Sequence, residues 1–191
     1  MKEMFRLVFV LTLVSLIAGV LLAVTQKYTA EPIRATEQAQ LFESLNAVLP
    51  PSDGTPLALH LPAAGGGTNT FYAARKDNAL AGIAFTCVSA NGYGGPVEVL
   101  VGLTPEGAIH KLKIVRQNET PGLGSKIETP AYLAQFSGKP LAGTVWKVRK
   151  DGGAIDAISG ATISSRALCD ALSNGLKLYQ DNKEALLAAA A

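Results

Sequence analysis

The string DAISGATISSR, Asp156 to Arg166, holds the chain's densest set of groups able to act on a ligand. Hydroxyls recur at Ser159, Thr162, Ser164 and Ser165, beside Gly160 and Ala161. An apolar-periodic segment follows at once, so the string opens a helix. The start of a helix offers unpaired N–H groups and the positive end of its dipole, which together favour a phosphate. Gly160 lets the backbone approach such a group closely, Ala161 adds almost no bulk, and the four hydroxyls can donate to its oxygens. Dipole and charge contribute on the order of 0.3–1 kcal/mol at an exposed site, too little to retain a ligand through many turnovers. A covalent phosphoester on a hydroxyl would remove the dissociation problem. A plain Ser/Thr-rich helix cap also satisfies the string.

Two glycine-rich stretches precede it. In ETPGLG, Glu119 to Gly124, Pro121-Gly122 is a type II turn signal and Gly124 adds further freedom. Thr120 and Lys126 add a hydroxyl and a cation, and Leu123 an apolar contact. A surface turn and a ligand loop both fit. GYGGP, Gly92 to Pro96, reads as a hairpin turn, or as a tight loop presenting Tyr93 as the wall of a site. Neither is a dinucleotide fingerprint, because no strand, Gly-rich turn and helix occur at that spacing.

Other chemistries find little support. Cys87 and Cys169 lack metal-type spacing and read as buried thiols, with a disulfide open only in an oxidising compartment. His60 and His110 lie in separate segments, so no metal site assembles by local spacing. The net charge of +2, without a basic run interleaved with aromatics, gives no reason to expect nucleic acid. No catalytic base or nucleophile stands out.

The elements that must position these groups begin with a membrane segment. Leu7 to Val24 carries no charge. As a helix it is about 27 Å long, close to a hydrocarbon core of about 30 Å. Arg6 can snorkel to the headgroups. A cleaved signal peptide is the rival, but Leu21-Leu22-Ala23 offers no small-x-small cleavage site. The span therefore reads as an uncleaved anchor in contact with lipid. Lys2 and Arg6 before it nearly balance Lys27 and Arg34 after it, and the free amino terminus tips the bias slightly toward a cytoplasmic N-terminus.

Beyond the anchor (residues 1–28), residues 29–70 read as a connecting helix and loop, and 71–191 as one domain. Pro32 opens the connecting helix, Ala35, Leu41, Leu45 and Val48 mark its face, and Pro50-Pro51 stops it. Pro56 to Thr70 reads as loop, Gly65 to Gly67 included. Strands are expected at Leu80–Ser89, Val97–Leu103, Ile109–Val115 and Gly143–Val148, with a turn at Asp151-Gly152-Gly153. Pro130 to Phe136 suits a short helix. The final helix follows Thr162, with Leu168, Leu172, Leu176 and Tyr179 on one face. Neighbouring strands with helices at the ends give an α+β domain with a largely antiparallel sheet.

GYGGP, ETPGLG and DAISGAT, in that order after one N-terminal span, resemble the FMN-binding domain family. The nearest pattern is that of the G subunits of Rnf-type ion-translocating ferredoxin:NAD oxidoreductases. The C subunits of sodium-translocating NADH:quinone reductases share it. The resemblance implies that Thr162 is joined to the phosphate of FMN by a phosphoester, installed by a separate flavin transferase with FAD as donor and magnesium. Asp156, Ser159, Gly160 and Ala161 match the remaining motif positions, with Asp156 implied in recognition during attachment, and Ser164 stays a candidate phosphate donor by its place at the helix start. Glu119, Thr120, Gly122, Leu123, Gly124, Lys126 and Tyr93 become candidate contacts to the flavin. The family often has a histidine shortly before the glutamate of ETPGLG; Arg116-Gln117-Asn118 stands there, so no histidine role carries over.

The function so implied is an electron relay through FMN inside a plasma-membrane redox complex, with other subunits as partners and the main domain on the periplasmic side. A C-type subunit of a quinone-reducing complex, an FMN-domain regulator and a tethered scaffold without a redox role are the alternatives.

Overall fold

A computed structural model describes residues 1–62, 67–77 and 79–190, with backbone alone at 34, 35, 189 and 190. The chain forms two compact units, Met1–Phe42 and Glu43–Ala191.

The first unit belongs to helix α1, Lys2–Val48. Its apolar stretch leaves every residue exposed, and it is long and apolar enough to cross a membrane. Pro32 does not open a separate helix as the sequence suggested; it lies inside α1. Its missing N–H removes one rung of the hydrogen-bond ladder, and the helix continues on either side. The helix stops where expected, before Pro50-Pro51. The side chain of Ala35 and the loop glycines Gly65 and Gly66 lie outside the described residues.

The second unit is built on a five-stranded antiparallel meander in sequential order. The strands are β1 (Leu57–Pro62), β2 (Thr68–Lys76), β3 (Ala79–Ser89), β4 (Val97–Leu103) and β5 (Ile109–Arg116). β3, β4 and β5 fall where their β-branched and apolar runs placed them. β1 and the start of β2 occupy a stretch read as loop. β1 is an edge strand exposed along much of its length, so its pattern carries little apolar signal.

β5 explains its own irregular periodicity. Leu103 pairs with Ile109, but Gly102 pairs with Lys111, so His110 is an extra residue. This bulge resets the pleat and puts Ile109 and Leu112 both in the core despite their odd spacing.

Alternation assigns the two faces of the sheet. Ile83, Phe85 and Cys87 of β3 and Val97, Val99, Val101 and Leu103 of β4 share one buried cluster with α3 (Thr162–Ala190). Ala84 and Leu100 turn to the other face and pack with Leu45, Val48 and Leu49. Leu168, Leu172 and Tyr179 of α3 are buried, as their spacing required, and Leu176 packs beside them. The Ala-rich end stays helical through Ala190, with Leu186 in the core.

Residues 117–161 are mostly irregular. Short helix α2, Pro130–Leu133, runs into a 3-10 turn at Ala134–Phe136, as expected for that stretch. Gly143–Val148 is not a strand. Only Val148 bridges, to Ile155, and the Trp146 indole N–H donates to the Leu141 carbonyl at 2.9 Å. Trp146 and Val148 are held by the core rather than by a ladder, which is why their apolar run misled. Burial pushes both the Cys87 and Cys169 thiols up to about 12, and both are free. They are inert packing groups.

Candidate cofactor site

Three loops meet at the N-terminus of α3, and Glu119 is the group that ties them. Its carboxylate accepts from the Ser164 hydroxyl at 2.6 Å and, weakly, from the Gly94 N–H at 3.4 Å. Glu119 and Ser164 are both buried. The Asn118 amide donates to the Gly94 carbonyl at 3.0 Å. Asn91 links the same loop to α3 through Asp170 at 3.1 Å.

The glycines of these loops are there for close approach. A β-carbon on Gly94 would overlap the Asn118 carbonyl, and one on Gly124 would lie 2.7 Å from both Glu119 Oε2 and Ser164 Oγ. Pro121-Gly122 forms the expected turn: Gly122 has φ 73°, and the Leu123 N–H returns to the Thr120 carbonyl at 3.2 Å.

The start of α3 is built unlike an ordinary cap. The Ser165 N–H donates to the Ala161 carbonyl at 3.1 Å, which makes Ala161 the cap residue and Thr162 the first helical one. Alanine has no side chain to satisfy the first-turn donors. The Ser165 hydroxyl instead accepts from the Ile158 N–H at 3.0 Å and donates to Ala161, bracing the preceding turn. The Thr162, Ile163 and Ser164 N–H groups and the Thr162 hydroxyl have no partner among the described residues.

A cavity of about 660 Å³ opens in front of that turn. Its volume lies within the ordinary range for small-molecule sites. Of the residues singled out in the sequence, Tyr93, Glu119, Thr120, Leu123, Gly124, Gly160, Ala161, Thr162 and Ser164 line it. Ser159, Gly122, Lys126 and Asp156 do not. Ser159 is exposed just before the turn, and Gly122 donates to the Ser125 hydroxyl at 2.9 Å. Lys126 is exposed on a 3-10 turn, and Asp156 pairs with Arg149 at 2.8 Å.

Ile163 and Lys150 also line the cavity, and sequence reasoning missed both. Ile163 was legible as the neighbour of Thr162 on the first turn of the helix. Lys150 carries no local signal, because the fold alone brings it to α3. Tyr93 (70% exposed), Ile163 and Leu123 leave apolar surface at the rim. No group of three or more metal-type ligands occurs among the described residues.

The arrangement suits an anionic, partly aromatic ligand: open N–H donors and a lysine for the anion, a free hydroxyl beside them, and apolar side chains for a ring. Comparisons with known proteins agree. Residues 92–177 match the family model of the FMN-binding domain, and residues 1–48 that of the RnfG N-terminal region. The chain is similar to the G subunit of the ion-translocating oxidoreductase complex of Cereibacter sphaeroides, 36% identical, covering 93% of this chain and 85% of that protein. The corresponding G subunit from Pseudomonas aeruginosa is 31% identical over 98% and 94% of the two chains. The crystal structure of Shewanella oneidensis NqrC shares the fold, with a TM-score of 0.52 at 21% identity, covering 64% of this chain and 63% of that one.

Proposed function

The chain belongs to the G-subunit family of ion-translocating oxidoreductase complexes, and on that premise we propose that it relays electrons through FMN carried on Thr162. One observation carries the reading. The unpartnered Thr162 hydroxyl stands on the first turn of α3, beside open N–H donors, in the wall of the cavity that the three glycine stretches frame.

In this reading the first-turn N–H groups bind the phosphate and hold it against the start of α3. Thr162 Oγ1 would carry the FMN phosphate as a phosphoester, formed by exchange for AMP at the pyrophosphate of FAD, with the hydroxyl proton leaving on AMP and no change of oxidation state. A flavin transferase supplies the catalysis of that step. Tyr93, Leu123 and Ile163 pack apolar surface against the ring and exclude water from it. Glu119, through Ser164 and Gly94, keeps α3 and the Tyr93 loop in register around the site. Bound FMN supplies the reversible redox chemistry, while the protein supplies position and electrostatics. α1 anchors the domain in the membrane with its N-terminus in the cytoplasm, and the FMN domain faces the periplasm. The electron partners are other subunits of the complex.

Intact mass of the chain, co-expressed with its transferase and purified in detergent, tests the linkage. The native chain is expected one FMN residue heavier than its sequence and fluorescent in a denaturing gel. Thr162→Ala is expected to lose both signals completely. Flavin retained by the denatured Thr162→Ala chain would refute the assignment, and a colourless native chain would leave the scaffold reading.

A further inference from the structure

Resting on that reading of the cavity, we propose that Lys150 is a phosphate-positioning residue. Its ammonium pairs with the cofactor's phosphate at Thr162, holds it during attachment and neutralises it afterwards.

Lys150 sits in the middle of a 3-10 turn, Arg149–Asp151, whose two other members are each tied down. Arg149 Nε pairs with Asp156 at 2.8 Å, at the head of the DAISGAT string. Asp151 holds Arg166 with both carboxylate oxygens, at 2.7 and 2.8 Å. Arg166 lies four residues after Thr162 on α3, on the same helix face one turn on. The turn is closed behind by the Val148–Ile155 bridge, by left-handed Gly152 and by Gly153, where a β-carbon would overlap Lys147.

The outcome is a braced loop beside the Thr162 face of α3. Its one remaining side chain, Lys150, lines the cavity and has no ion partner among the described residues. Among those residues it is also the only cation lining that cavity. The two flanking ion pairs fix the backbone of the turn at Arg149 and Asp151, which keeps the exposed Lys150 beside the cavity. A lysine suits a phosphate as a compact point charge on a flexible stem.

The test uses the full chain in detergent, with limiting transferase and FAD, in four forms: native, Lys150→Met, Lys150→Arg and, at an exposed lysine away from the cavity, Lys111→Met. Two quantities are read: the fraction of chain carrying the FMN mass at fixed times, and the 31P resonance of the attached phosphodiester. Lys150→Met is expected to slow attachment about tenfold and to displace the phosphorus resonance of whatever product forms. Lys150→Arg restores most of the rate, and Lys111→Met changes neither quantity. A purely structural role for Lys150 would leave the 31P position of the attached product unchanged. Native-like attachment and 31P position in Lys150→Met overturn the proposal while leaving the cofactor assignment standing. Equal losses in Lys111→Met and Lys150→Met overturn it in favour of diffuse surface charge. A native chain without the FMN mass fails the underlying reading itself.

Discussion

α1 and α3 are both long helices rich in leucine and alanine, and they use those residues in opposite ways. In the first unit Leu11, Leu16 and Leu22 are more than 60% exposed, whereas in α3 Leu168 and Leu172 are fully buried. α3 confines its large apolar side chains mostly to a stripe, and the sheet covers that stripe. The Leu7–Val24 stretch is apolar on every side, and no sheet face could cover all of it. Its apolar surface needs an external apolar phase, which a bilayer supplies. Residue type alone therefore does not say whether a leucine stabilises the fold; its partners do.

Truncation separates the two helices most sharply. Leu172→Ala is expected to cost about 2–5 kcal/mol of domain stability, because it opens a cavity in a packed core. Leu16→Ala is expected to leave the domain within about 0.5 kcal/mol of the native value. Denaturant unfolding followed at Trp146, the chain's one tryptophan, buried in the second unit, measures both. Similar losses at the two positions would break the contrast.

Charge inverts it. Leu16→Arg is expected to penalise membrane insertion by about 2.5–3.5 kcal/mol and to leave the Trp146 unfolding midpoint unchanged. Carbonate extraction of membranes reads the first quantity. An arginine tolerated there without loss from the membrane fraction would count against the span.

The smallest effect sharpens the site side of the comparison. Hydrogen bonding to Arg166 is the largest influence holding the Asp151 carboxyl below its usual range. A carboxyl depressed in the folded state contributes stability above its unfolded pKa and loses it as pH falls through the folded value. The gap in urea midpoint between native and Asp151→Asn chains should therefore be small and steady near neutrality. It should narrow only below the ordinary aspartate range, near 3.8. A gap unchanged to pH 3 would mean that the ion pair does not brace the turn.

Legibility followed the range over which a signal acts. α3 was readable because its buried face repeats within one helix, and β3 and β4 because their apolar runs were long. β1 was not, because an edge strand with little buried area borrows its structure from β2. The 143–148 segment was misread because burial of Trp146 and Val148 imitates a strand's apolar run. At the site, Thr162, Gly160 and the ETPGLG turn were visible as local chemistry. Lys150 was not, since two ion pairs and a bridge, all made after folding, bring it to the cavity.

The sequence by itself determined the uncharged span, the turn chemistry of the glycine stretches, the start of the last helix and the hydroxyl placed there. Each depends on backbone preference or on contacts a few residues apart. Tertiary structure decided that Glu119 meets Ser164 across 45 positions, that Ala161 rather than a hydroxyl residue caps α3, and that Lys150 faces Thr162's cavity. Those outcomes depend on which loops the sheet and α3 bring together, and no local spacing encodes a contact whose partners meet only when the core has formed.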